Sequence, residues 1–204
     1  MAVQAVPTKG NLMNTKKSLS LAKNGYELLD KKRNILIREM MTLIEHANAI
    51  QQKIDTAYEE AYIALQTANV TNGFCEDISN SIPVEDTLEL DSRSVMGVEI
   101  PLLSVGERPQ HDFLHYGLRN TNSAIDKVYM KFSEVKYLTV ELAEIENSVY
   151  RLADAIKKTQ KRANALKNIM IPKFEETVKF ITDALDEKDR EEFSRLKVIK
   201  KKKQ

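Results

Sequence analysis

Apolar residues recur at alternating steps of three and four along the first third of the chain: Leu19, Ala22, Tyr26, Leu29, Leu36, Met40, Leu43, Ala47, Ile50, Ile54, Ala57, Ala61, Ala64 and Ala68. Arg33 breaks this series, and Gly25 is the one glycine within it. A second series runs through Ile125, Val128, Phe132, Val135, Leu138, Leu142, Ile145, Val149, Leu152, Ile156, Ala163, Leu166 and Met170. Seams sustained over this many heptads predict coiled coil rather than a compact amphipathic helix. The first helix is expected from about residue 10 to about 70, capped by Thr8 or Asn11 and stopped by Asn69-Val70-Thr71-Asn72-Gly73. The second is expected from about Asn120 to about Lys197. Pro172 lies inside it and removes a backbone hydrogen bond, so a kink is expected near residues 168–172. The seam also shifts there: Met170 to Phe174 is a step of four where three would continue the pattern.

Between the helices the pattern changes. Residues 74–117 hold three of the five prolines, and Ser94 to Val105 is partly alternating and β-branched. That stretch predicts one or two short strands, with a hairpin turn near Gly97 or Pro101. The fold class is therefore all-α: a long antiparallel two-helix coiled coil with a small insert carrying a short β-hairpin. The expected division is residues 1–70, 71–118 and 119–204, working as one unit. A helix of about 60 residues is about 90 Å long, so the pattern implies a rod that spans distance or transmits force.

Setting Leu12 opposite Leu196 gives an expected pairing of the helices. The Ala57–Ala68 run then faces residues around Glu141–Tyr150, and Arg33 falls near Glu175 and Glu176. Val128, Phe132 and Val135 are left without a partner on the first helix, to be covered by the insert or by another protein.

Charge sharpens the picture. The net charge is +1, but residues 1–33 carry seven Lys/Arg against Glu27 and Asp30, and residues 187–204 carry eight against four acids. Residues 70–117 carry nine acids against Arg93 and Arg108. Antiparallel helices bring both basic ends to one tip and leave the acidic middle at the other end. The bland alternative is that the terminal lysines only solubilise the chain. No apolar stretch approaches the length of a membrane span, and a signal-peptide pattern is lacking at the N-terminus, which predicts a cytoplasmic protein.

Catalytic chemistry finds little support. Neither G-x-x-x-x-G-K-[ST] nor G-x-G-x-x-G occurs. Cys75 lacks a second thiol at metal spacing, and His111 and His115, four apart, have nothing to complete a metal site. His46 reads as a surface or packed histidine. No cofactor or metal is expected. Two other readings fit the periodicity: a structural tether, and a nucleic-acid-binding hairpin using Lys200–Lys203, which lacks interleaved aromatics.

Six segments carry a more specific signal. Pro7-Thr8-Lys9-Gly10-Asn11-Leu12 with Lys16-Lys17-Ser18-Leu19, and the stretch Gly25-Tyr26-Glu27-Leu28-Leu29-Asp30-Lys31-Lys32-Arg33-Asn34-Ile35-Leu36, strongly resemble the opening of the D subunits of V-type and archaeal-type ATPases. So do Val95-Met96-Gly97-Val98-Glu99-Ile100-Pro101, Arg162-Ala163-Asn164-Ala165-Leu166, Ile171-Pro172-Lys173-Phe174-Glu175-Glu176-Thr177 and Arg190-Glu191-Glu192-Phe193-Ser194-Arg195-Leu196-Lys197 resemble later stretches of the same proteins. Lys167 departs from the pattern, which leads to expect an acid there. The resemblance implies the central rotor axle of a rotary ATPase, without catalytic groups of its own. Its partners would be the catalytic A and B subunits of the head, the small F subunit of the rotor, and the socket protein (the C subunit in bacteria, the d subunit in eukaryotes) on the membrane ring that moves H+ or Na+. Nucleic acid and direct membrane insertion are not implied. On that reading Lys9, Lys16, Lys17, Lys23, Lys31, Arg33, Arg190, Arg195 and Lys197 are tip candidates for contact with the head. The hairpin Val95–Pro101 is a candidate regulatory brace, and Val128, Phe132 and Val135 form the seam left for the insert or a partner.

Overall fold

The computed structural model describes residues 6–82, 84, 87–106, 116–117 and 121–203. Helix α1 spans Lys9–Asn72 and the short α2 spans Glu76–Ser81. Strands β1 (Leu88–Val95) and β2 (Val98–Val105) follow, then α3 (Ser123–Ala165), one wide π-helical turn (Leu166–Met170) and α4 (Ile171–Lys203). Among the described residues the structure is all-α apart from the two-stranded antiparallel sheet.

Local chemistry explains the ends. The Asn11 amide donates to Thr8 Oγ1 at 3.2 Å, so Thr8 is the cap of α1. At the other end Gly73 adopts φ 82°, and its N–H donates to the Asn69 carbonyl, closing the helix in a left-handed cap. Asn122 caps α3, its Oδ1 accepting from the amides of Ala124 and Ile125. The hairpin turns at Met96 and Gly97, both at positive φ (52° and 74°), as a two-residue type I′ turn requires. Of the two expected turn positions, Gly97 is the right one; Pro101 lies within β2 opposite Ser92.

The chain packs as two compact units, residues 1–35 with 156–204 and residues 36–155. In the first, the opening of α1 runs against the end of α3, the π-turn and α4. Ala22, Ala163 and Ile181 are buried there, and a Cβ added to Gly25 would touch Leu166 at an ordinary 3.8 Å. The π-turn answers the proline. The Ile171 N–H reaches back five residues to the Leu166 carbonyl, which widens the turn just ahead of the Pro172 ring. A π-turn inserts one residue into the helical count, which is the physical content of the four-residue step from Met170 to Phe174.

In the second unit, Ile50 and Ile54 pack against Ile145. Ala57 and Ala61 pack against Val135, and Ala68 against Ile125 and Tyr116. Small residues on α1 thus receive bulky ones from α3. The expected alignment is corrected by about a dozen residues: Ala61 meets Val135, not a residue near 147. Val135 is buried by the alanines, and Phe132 stands edge-on to Tyr62 at 5.8 Å between ring centres. Val128 is half-buried beside Ala68, Tyr116 and Ile125. The seam expected to lack a partner on the first helix therefore has one. The same error explains Arg33, which pairs with Asp30 and Gln160; Glu175 pairs instead with Lys23 at 2.8 Å.

Candidate functional surfaces

Three surfaces carry the sequence-predicted residues. The first is basic and apolar and belongs to the first unit. With Lys23 facing Glu175, an antiparallel pairing brings the start of α1 level with residues near 189 of α4. Residues 186–202 are all exposed, including Phe193, Leu196, Val198 and Ile199. Setting Leu12 against Leu196 assumed that the two helices end together; α4 instead runs on past the start of α1.

The basic candidates then sort by their neighbours. Lys9, Lys16, Lys17, Lys31, Arg190 and Lys197 are exposed. Lys23 is held by Glu175, and Arg195 lies 3.5 Å from Glu191 one turn earlier on its own helix. Arg33 is only 24 % exposed in its side chain and sits in a polar cluster with Asp30, Asn34 and Gln160. It is an interior group of the helix pair rather than a surface contact.

The second surface is the hairpin, within the second unit. The Val95–Val98 pair closes the turn, so the antiparallel alternation makes Ser94–Glu99, Ser92–Pro101 and Leu90–Leu103 non-hydrogen-bonded pairs. The backbone groups of Glu99 and Leu103 on β2 then point away from β1. α3 receives both: the Leu103 N–H donates to Glu144 Oε2 at 2.9 Å, and Arg151 donates to the Glu99 carbonyl at 3.2 Å. Pro101, between them, has no N–H to satisfy and is buried. Ile100, 2 % exposed, anchors the strand, and Arg93 of β1 lies 3.4 Å from Glu39 of α1. Sequence reading found Val95 to Pro101 but missed Glu144 and Arg151. Their spacing of seven on a helix was the available signal, but it is common to every solvated helix face.

The third surface is a groove of about 270 Å³ in the second unit, lined almost wholly by apolar atoms from Leu65, Ile78, Ile82, Val128 and Phe132, with Cys75 at its side. α2 thus covers part of the seam around Val128. At its border the Tyr116 hydroxyl donates to Asp126 at 2.6 Å. Burial, and then that carboxylate, push the hydroxyl well above the usual phenol range.

Among the described residues there is no group of three or more His, Cys, Asp or Glu that could hold a metal ion, and no helix is long and apolar enough to cross a membrane. His111 and His115 lie outside the described residues. His46 is exposed, 3.9 Å from Glu141.

The class these features define is a helix-pair protein with an inserted β-hairpin, whose distinctive groups lie on surfaces and along its seams. The family profile of ATP synthase D subunits matches residues 11–201. The chain is 43 % identical to the V-type ATP synthase D subunit of Thermotoga neapolitana over 98 % of each chain. It is 38 % identical to the A-type ATP synthase D subunit of Pyrococcus abyssi, covering 95 % of this chain and 92 % of that one. Against the A-type ATP synthase D subunit of Methanopyrus kandleri the identity is 36 %, over 95 % and 84 %. The chain belongs to the family of ATP synthase D subunits of V/A-type rotary ATPases.

Proposed function

We propose that this chain is the non-catalytic central axle of its ATPase, carrying torque between the catalytic A/B head and the membrane ring that translocates H+ or Na+. The observation that carries the reading is the exposed end of α4. Phe193, Leu196 and Ile199 are left in water beside Arg190, Lys197 and the terminal lysines. An apolar face with a basic border needs a partner, and a sleeve formed by the head supplies one. Family membership supports the same role. On this reading the acidic middle and the hairpin take the F subunit and the socket protein, at the cytoplasmic face of the membrane.

An axle must resist twist while its contacts slide. Interlocked helix pairs supply stiffness through burial of Ile50, Ile54 and Ile145 in one unit and of Ile181 in the other. Exposed lysines supply contacts that do not lock, because each solvated ion pair contributes only about 0.2–1 kcal/mol.

Reconstitution tests the proposal. The chain is mixed with cognate A, B and F subunits, resolved by size exclusion, and ATP hydrolysis is measured with and without it. Co-elution at one copy per head with altered turnover is expected. A head that assembles while this chain elutes alone overturns the reading.

A further inference from the structure

Each apolar seam is interrupted once near the same place. On α1, Arg33 stands between Leu29 and Leu36; on α3, Thr159 and Gln160 stand between Ile156 and Ala163. The two interruptions meet within the first unit. Arg33 Nη1 donates to Gln160 Oε1 at 2.8 Å, and Nη2 pairs with Asp30 at 2.7 Å and donates to Asn34 at 3.1 Å. Gln160 in turn donates to Asn164 at 3.0 Å, and Asn34 to Asp30 at 3.4 Å. Thr159 is buried, and Arg33 Nε is buried with no hydrogen-bond partner. The guanidinium stem is therefore seated inside the helix pair, and this layer is polar at a cost.

We propose that Arg33 and Gln160 form a register lock, which fixes the axial alignment of the antiparallel helix pair by completing a polar layer in one register only. Heptad seams alone are nearly indifferent to a slide of seven residues, because apolar layers meet apolar layers again. The polar layer removes that indifference. A slide in one direction sets Arg33 against the layer of Leu166, and a slide in the other sets Gln160 and Thr159 against Tyr26. Either strands hydrogen-bonding groups among apolar side chains. A single buried polar pair specifies register in coiled coils in the same way, with some loss of stability. The Asp30 carboxylate, on the same helix, travels with Arg33 and cannot restore the layer; Gln160 is the cross-helix member that makes the choice. The lock concerns the pairing of the chain's own helices and does not depend on the rotor reading.

The test uses the full chain with Cys75→Ser and spin labels on cysteines placed at the exposed positions Lys17 and Lys161. The unaltered layer should give one label–label distance. Arg33→Leu with Gln160→Leu should remain helical yet add a second population displaced by about 10 Å, the rise of seven residues. A folded double-leucine chain with a single distance overturns the proposal. If that chain does not fold, two others carry the test. Arg33→Leu alone should give the extra population, and the exchange of Arg33→Gln with Gln160→Arg should restore the single one. An exchanged chain as heterogeneous as Arg33→Leu overturns the lock.

Discussion

At the scale of single residues, Tyr116 shows how burial and one hydrogen bond become a dependence on pH. Its hydroxyl is buried and donates to Asp126, so the neutral phenol is favoured in the folded chain. The folded pKa is raised above the unfolded value near 10. Above that pH the unfolded chain releases the phenolic proton and the folded chain keeps it, so the unfolded state binds fewer protons. Stability from this group is therefore complete below about pH 10 and is lost as pH rises through the folded value. Tyr116→Phe should cost about 1–3 kcal/mol at pH 7, because Asp126 loses a buried donor. The same variant should show a smaller loss of stability than the parent between pH 9 and 11. Urea unfolding at pH 7, 9 and 11 measures both; equal losses in parent and variant between pH 9 and 11 would mean that other groups carry the alkaline sensitivity. The turn at Met96 and Gly97 is a contrasting case. There the backbone itself demands positive φ, and Gly97 announced the site because glycine adopts that conformation without steric cost.

At the scale of elements, the π-turn ties a covalent constraint to a packing requirement. Pro172 needs a turn that does not press the preceding carbonyl into its ring, and Phe174 and Ile181 need a seam advanced by one residue. The turn at Leu166–Met170 meets both needs. Deleting Asn168 alone should force an ordinary α-turn onto Pro172 and cost about 3 kcal/mol. Combining that deletion with Pro172→Ala should recover most of the loss, since the shortened helix keeps Ile181 on the seam. Thermal melts of the two chains decide the matter, and failure of the alanine to rescue would assign the turn another cause. The hairpin yields a second element-scale expectation. Glu144→Ala removes the acceptor for the outward Leu103 N–H. Hydrogen exchange at Leu103 should speed up by about tenfold, equivalent to about 1.4 kcal/mol, while helical content stays unchanged. Loss of helical signal would make the contact part of the core. These elements also show what the sequence could and could not disclose. Helix existence, caps and the hairpin turn were legible, because periodicity and Gly or Thr chemistry are local. Pairing was not: seams of equal period fit together at several offsets, and the assumption that both helices end together chose the wrong one. In the observed register Ala57 and Ala61 meet Val135 and Arg33 meets Gln160, contacts that join residues more than seventy positions apart.

At the scale of the whole molecule, charge and apolar exposure bear on the proposed partner. Basic residues gather at both chain ends and acids in the middle, yet the structure divides the basic group. Lys23 and Arg195 face carboxylates of their own chain, and Arg33 belongs to an interior layer. Lys9, Lys16, Lys17, Lys31, Arg190 and Lys197 remain for contact with another surface. If that surface is the lining of the head, changing Lys9, Lys16, Lys17, Arg190 and Lys197 to Gln should leave the fold intact, since exposed substitutions each shift stability within about 0.5 kcal/mol. Association should weaken by about 1–5 kcal/mol in sum at low salt. The loss should fade as salt is raised, because screening already weakens exposed pairs in the parent. Phe193→Ala with Leu196→Ala should weaken association at all salt concentrations, since burial of apolar area does not depend on screening. Titrating each chain into the A/B head at 50 and 300 mM salt (about 14 and 6 Å of screening length) separates the two contributions. If the glutamine chain binds as the parent does at both, the lysines serve only solubility. If the alanine pair is also silent, the end of α4 is not where the head takes hold.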